Sequence, residues 1–112
     1  MKNPSRTYTG KRRRLHESEA GFCAVQVLES TGKIRNLNHV VRHSPDGFEW
    51  GYMGSGPSDL ALSILSDYFF FDTAKAEEHY VNFKSRFVQH WKATWQISEK
   101  EIEEWITAGC RP

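Results

Sequence analysis

The chain reads as an α+β domain, an antiparallel three- or four-stranded sheet packed on one face by three C-terminal helices. Two observations predict this. The first half holds short runs of β-branched and aromatic residues separated by Gly-, Pro- and Ser-containing turns, and the second half shifts to apolar spacings of three and four. Strands followed by helices place the helices together against one side of the sheet. A length of 112 residues with 13% aromatics gives one domain, 1–112, able to bury a core without metals or disulfides.

Each element has its own reason. Thr7-Tyr8-Thr9 are strand formers, and Gly10 marks a bend or bulge. Residues 15–21 read as a polar loop, and Phe22 to Glu29 as a strand bounded by the turn Ser30-Thr31-Gly32-Lys33. Ile34 to Val41 is its hairpin partner, ended by the turn His43-Ser44-Pro45-Asp46-Gly47. Phe48, Trp50 and Tyr52 then alternate with Glu49, Gly51 and Met53, which predicts a further strand with three aromatics on one face. Pro57 to about Phe70 is apolar around most of its circumference, as a helix buried on more than one side is. Residues 74–93 form an amphipathic helix through Tyr80, Phe83, Phe87 and Trp91. In the last helix Ser98 and Glu101 match a capping box, Ile97 and Ile102 a hydrophobic staple, and Gly109 the C-terminal stop.

Charge is unevenly spread. Residues 1–14 carry six basic side chains and no acidic one, leaving nine basic and fourteen acidic groups, net −5, in the other 98. This basic N-terminal arm either folds back as an edge strand or binds an anionic partner such as nucleic acid through Arg12, Arg13 and Arg14. No run approaches the ~18 apolar residues of a membrane span, and no apolar segment follows the basic start as in a signal peptide. Cys23 and Cys110 have no metal or redox spacing, which suits free thiols in a cytosolic protein and leaves a pairing between them open.

The densest local signal is Gly54-Ser55-Gly56-Pro57-Ser58-Asp59, three glycines in six residues counting from Gly51, leading into a helix. Pro57 suits the first helical position, and Asp59 falls near the third. Free N–H groups and the helix dipole could hold a nucleotide or another anionic ligand there, with Tyr52, Gly54, Ser55, Gly56 and Asp59 around it. Asp59 could instead meet those donors itself. No lysine follows as in a P-loop, and no βαβ unit surrounds the turn.

Other constellations are weaker. His79 and His90, eleven apart on one helix face, stand about 16 Å apart, too far to share a metal. With Arg86 they form a stripe able to meet an anionic partner. Ser55 lies on no nucleophile elbow, and Glu99, Glu101, Glu103 and Glu104 point in different directions on their helix. No catalytic residue, cofactor or metal is expected.

Phe48-Glu49-Trp50-Gly51-Tyr52 followed by Gly54 to Leu65 resembles the signature of domain of unknown function 6166. The similarity includes Leu37 to Pro45, His79-Tyr80, Phe83-Lys84 and Ile102 to Ile106, and it leaves the basic arm outside. The resemblance implies a small accessory protein of phages and mobile elements, and no catalytic residues. The expectation is a non-enzymatic binding protein that engages a host protein and inhibits a bacterial defence system. The alternatives are anion capture at the Gly54–Asp59 turn and DNA binding by the arm. Oligomeric state stays open.

Overall fold

A computed structural model describes residues 5–13, 22–45 and 47–112. Its sheet holds β1 (Thr7–Arg13), β2 (Phe22–Leu28), β3 (Ile34–Asn36) and β4 (Thr94–Ser98), all antiparallel, in the order β3-β2-β1-β4. Period two sorts the side chains. Tyr8, Val25, Val27, Trp95 and Ile97 are buried, while Lys11, Gln26, Thr94 and Gln96 face solvent. Tyr8 lies opposite both Val27 and Ile97, and Gly10 opposite Val25 and Trp95.

Residues 7–13 of the basic segment are therefore an inner strand, neither a free arm nor an edge. Gly10 serves packing rather than a bend, because a Cβ there would overlap the Trp95 indole. That indole has no room to retreat. It stacks on Trp91 at 3.8 Å and meets Trp50 edge-on at 5.6 Å. Its Nε1 is left without an acceptor, alone among the buried side-chain polar atoms of the described residues.

Two expected strands are revised. The partner of β2 stops at Asn36, because from Val40 onward the backbone N–H groups turn to side chains of the following helix. The described residues of 48–53 form no strand. Trp50 is fully buried and donates Nε1–H to Lys92 O at 2.6 Å, Tyr52 is exposed, and Gly51 between them sits at φ +92°. Burying one large indole outweighs keeping three aromatics on a common face. The missing strand is β4, where Trp95 and Ile97 alternate with Thr94 and Gln96. The expected helix 74–93 ran over its approach.

Three helices cover the inner face of the sheet and share one core with it. α1 (Ser55–Tyr68) is buried at every position from Gly56 to Asp67. It starts two residues before the expected Pro57, which is third in the helix and still among the N–H positions that need no intrahelical acceptor. α2 (Thr73–Arg86) is capped by Asp72, which accepts from Lys75 N at 3.1 Å. It ends at Arg86, and a 3₁₀ turn (Val88–His90) follows, so His90 does not extend a stripe from His79. α3 (Glu99–Thr107) has both halves of the capping box, with Ile97 and Ile102 buried beside it. It closes in a Schellman motif: Gly109 N and Cys110 N donate to Ile106 O and Trp105 O, each at 3.0 Å. Cys110 is a half-buried free thiol whose pKa burial raises; the Cys23 side chain lies outside the described residues.

The last turn of α1 supplies the central polar contact. The Asp67 carboxylate is 1% exposed and accepts from Tyr8 OH at 2.8 Å, Arg6 Nη1 at 2.9 Å, and Arg35 Nη1 and Nη2 at 2.9 and 3.2 Å. Burial pushes the Tyr8 phenol up, and the Asp67 charge pushes it further. The hydrogen bond to Asp67 raises the Arg35 pKa despite partial burial. Asp67→Ala leaves two guanidinium groups and a buried hydroxyl facing an empty site. We expect it to cost about 3–5 kcal/mol in urea unfolding, and Tyr8→Phe about 2 kcal/mol.

Candidate functional site

The glycine turn is built by packing. Gly54 is the N-cap of α1 in extended conformation, with no side-chain cap. A Cβ on Gly56 would come within 2.8 Å of Glu49 Cβ, so glycine lets the helix start press against residues 48–50. Ser58 Oγ donates to Gly54 O at 2.9 Å and accepts from Lys84 Nζ at 2.7 Å, which fastens α2 to this turn. Ser55 is exposed at its tip.

Asp59 is not at the helix N-terminus. It is the fifth residue of α1, fully buried, and turned toward the incoming loop. Its carboxylate accepts from His43 N at 2.9 Å, Ser44 N at 3.0 Å, Arg42 N at 3.2 Å and His39 Nε2 at 2.9 Å. Ser63, one turn on, accepts from Val40 N at 2.8 Å. Two side chains of α1 thus replace a β-strand as partners of residues 40–44. Outside this latch, Arg42 pairs with Glu77 at 3.2 Å and Tyr80 OH meets His43 Nε2 at 3.2 Å, both on α2. Burial by itself raises the Asp59 pKa, but the bonds from His39, Ser44, Arg42 and His43 outweigh it and hold the carboxyl below the ordinary aspartate range. Asp59 is consumed by this loop and is unavailable to a ligand at the turn. Among the described residues no hydroxyl or thiol is hydrogen-bonded to His39, so the His39–Asp59 pair lacks a nucleophile.

Arg12 and the motif loop, distant in sequence, form one surface. Arg12 N donates to Ala93 O at 2.9 Å, holding the end of β1 beside the approach to β4. Its guanidinium donates to Glu49 Oε1 at 2.8 Å and Trp50 O at 2.9 Å, and lies 4.9 Å from the Trp50 ring centroid. Two and three residues beyond Trp50 in the same loop, Tyr52 is 50% exposed and Met53 55%. The Arg13 side chain and Arg14 lie outside the described residues. His79 and Arg86 occupy α2, where His79 sits 3.8 Å from Glu78 and 6.4 Å from the Phe69 ring, and Arg86 lies 6.0 Å over Phe87. Neither is bonded to the motif turn.

A second feature has no counterpart among the expected sites. α1 ends in another Schellman pattern, with Phe70 N donating to Asp67 O at 3.1 Å and Phe71 N to Ser66 O at 2.6 Å. Both phenylalanines take left-handed backbone, φ +56° and +68°, and stand 78% and 63% exposed. Left-handed backbone costs a non-glycine residue roughly 1–2 kcal/mol; the Phe70 ring recovers part of it under the Arg6 guanidinium, 5.0 Å from its centroid. An open groove of about 860 Å³ lies alongside, lined among others by Arg6, Arg35, Tyr68, Lys100 and Glu103. The run Phe69-Phe70-Phe71 before the cap Asp72 was the available signal: an α-helix can turn only part of such a run inward.

With this geometry in place, the family model for DUF6166, a family of unknown function, matches residues 8–108. The chain belongs to that family. The match begins at Tyr8, so Lys11 to Arg14 of the basic segment fall inside the similarity rather than outside it. No curated protein and no solved structure matches the chain. Among the described residues no group of three or more His, Cys, Asp and Glu side chains could hold a metal, and no helix is long and apolar enough to cross a membrane.

The Asp59 latch gives a signed pH dependence. A carboxyl depressed on folding contributes stability that is full above about pH 4 and is lost as pH falls through its folded value. Asp59→Asn, which cannot accept all of these N–H bonds, should cost about 3 kcal/mol at pH 7 and flatten the acid limb of the stability curve. An unchanged acid limb, measured by urea unfolding from pH 7 to pH 3, would contradict this assignment.

Proposed function

We propose that this member of DUF6166 is a non-enzymatic binding protein that engages a host protein through the surface made by Arg12, Tyr52 and Met53. The observation that carries this reading is the convergence of an inner-strand arginine with the exposed aromatic loop of the family signature. Arg12 is anchored by the Trp50 carbonyl and ring, so its guanidinium is ordered before any partner arrives. Tyrosine, methionine and arginine are the side chains enriched in protein interfaces. Antagonism of a bacterial defence system, in the setting of a phage or mobile element, is the role we assign to this contact, on the family resemblance. A second reading, capture of an anion at the start of α1, draws support from the uncapped N-cap Gly54 and from Lys84 beside Ser58.

Affinity isolation from a bacterial host compares the wild-type chain with Tyr52→Ala and Met53→Asp. We expect one stoichiometric host protein on the wild type, affinity weakened about tenfold or more in each variant, and unchanged thermal unfolding. Equal retention by wild type and both variants refutes the assigned face. For the anion reading, inorganic phosphate and a nucleotide panel should raise the melting temperature, and Ser55→Ala should weaken the rise. No shift across the panel removes that reading.

A further inference from the structure

We propose that the chain forms a two-fold homodimer through the end of the domain that carries Phe70 and Phe71. These two residues occupy the C-terminal stop of α1 with left-handed backbone and exposed rings, whereas α3 makes the same kind of stop with Gly109. A glycine would serve the turn better than either phenylalanine. The Phe70 ring meets the Arg6 guanidinium at 5.0 Å, yet both rings keep most of their surface in solvent; that surface has a use outside the turn, and beside it lies the open groove whose wall includes the Tyr68 side chain.

Charge selects the occupant. Of the charged groups that line the groove, Arg6, Arg35 and Lys100 match Glu29, Glu99 and Glu103 in number, and the two arginines are already paired within the domain. Lys100 and Glu103 also line the groove, both exposed, and neither has an ion-pair partner among the described residues. Three positions apart on α3, they present one free charge of each sign on one face. A partner of uniform charge is attracted by one and repelled by the other. A second copy turned by 180° sets Lys100 against the other Glu103 and Glu103 against the other Lys100, the reciprocal pairing that a two-fold interface requires. The Phe70 and Phe71 rings then cover each other's grooves at the centre. This interface leaves the Arg12 surface open, because Arg6, just before β1, and Arg12, near its end, stand about 20 Å apart along the extended chain. The dimer thus stands or falls independently of the host-protein reading.

Light scattering after size exclusion tests it on the purified chain at about 100 µM, a concentration that detects micromolar association. The expected mass is twice the 13.0 kDa of one chain. Phe70→Ser and Phe71→Ser should each return the mass toward one chain, with the circular dichroism spectrum unchanged. Lys100→Glu and Glu103→Lys should each weaken association about tenfold, and an equimolar mixture of the two should dimerise again, since every facing pair is then of opposite charge. A wild-type monomer at this concentration overturns the proposal, as does a dimer indifferent to both phenylalanine substitutions. Failure of the mixture to recover overturns the two-fold arrangement, and so does one foreign protein bound per monomer through Phe70.

Discussion

A carboxylate almost wholly removed from water, Asp67, is the contact on which the arrangement of this domain depends. It sits on a helix buried along nearly all its length and draws together Arg6 and Tyr8 of the first strand region and Arg35 of β3. A buried ion pair adds little net stability compared with a well-packed apolar substitute. Its effect here is on register. Tyr8 reaches Asp67 only from the inner face of β1, and a slip of one residue would turn that ring, with every other inward side chain of the strand, toward solvent. Arg6 carries the constraint further by pairing with Glu99 at 2.8 Å, at the start of α3. Its hydrogen bonds hold Glu99 ionised against the opposing effect of burial.

The fold class was legible because local patterns and tertiary burial agree over most of the chain. The capping box at Ser98, the apolar circumference of α1 and the β-branched, turn-bounded run of β2 all describe what forms. Reading failed where one large side chain overrode a period. Trp50 turns into the core while Tyr52 turns out, so an aromatic alternation that suits a strand becomes an irregular connection. The five-residue alternation around Trp95 was hidden because Phe87 and Trp91 continue a helical spacing into it. Trp91 is an aromatic of the expected helix that instead stacks on a strand residue.

The candidate site was half legible. The motif loop with Tyr52 and Ser55, and the basic arm with Arg12, were expected as separate patches; the contact of Arg12 with Glu49 and Trp50 of that loop depends on β1 being an inner strand, which no local pattern encodes. Asp59 was marked by its place after the glycine turn, but its partners are backbone N–H groups of residues 42–44, whose amide orientation leaves no trace in residue identity. Arg6, Arg35 and Asp67 are separated by tens of residues and carry no spacing signal. Phe70 was read as the last residue of a helix and Phe71 lay just beyond it, since φ cannot be seen in a run of aromatics. The resulting domain has two contrasting ends, an aromatic loop held by an arginine–glutamate pair where α1 begins and two exposed phenylalanine rings where it stops.

β1 hydrogen-bonds to both β2 and β4, so strands near the two ends of this chain are neighbours in one sheet. During synthesis the first strand can pair with β2 early, yet its other edge stays open until Thr94–Ser98 has emerged from the ribosome. Tyr8, the Gly10 cleft and the N–H and C=O groups along that edge wait unprotected meanwhile, the condition under which nascent chains recruit chaperones or pair wrongly. Completion of the sheet therefore waits on the closure of one long loop, from β1 to β4.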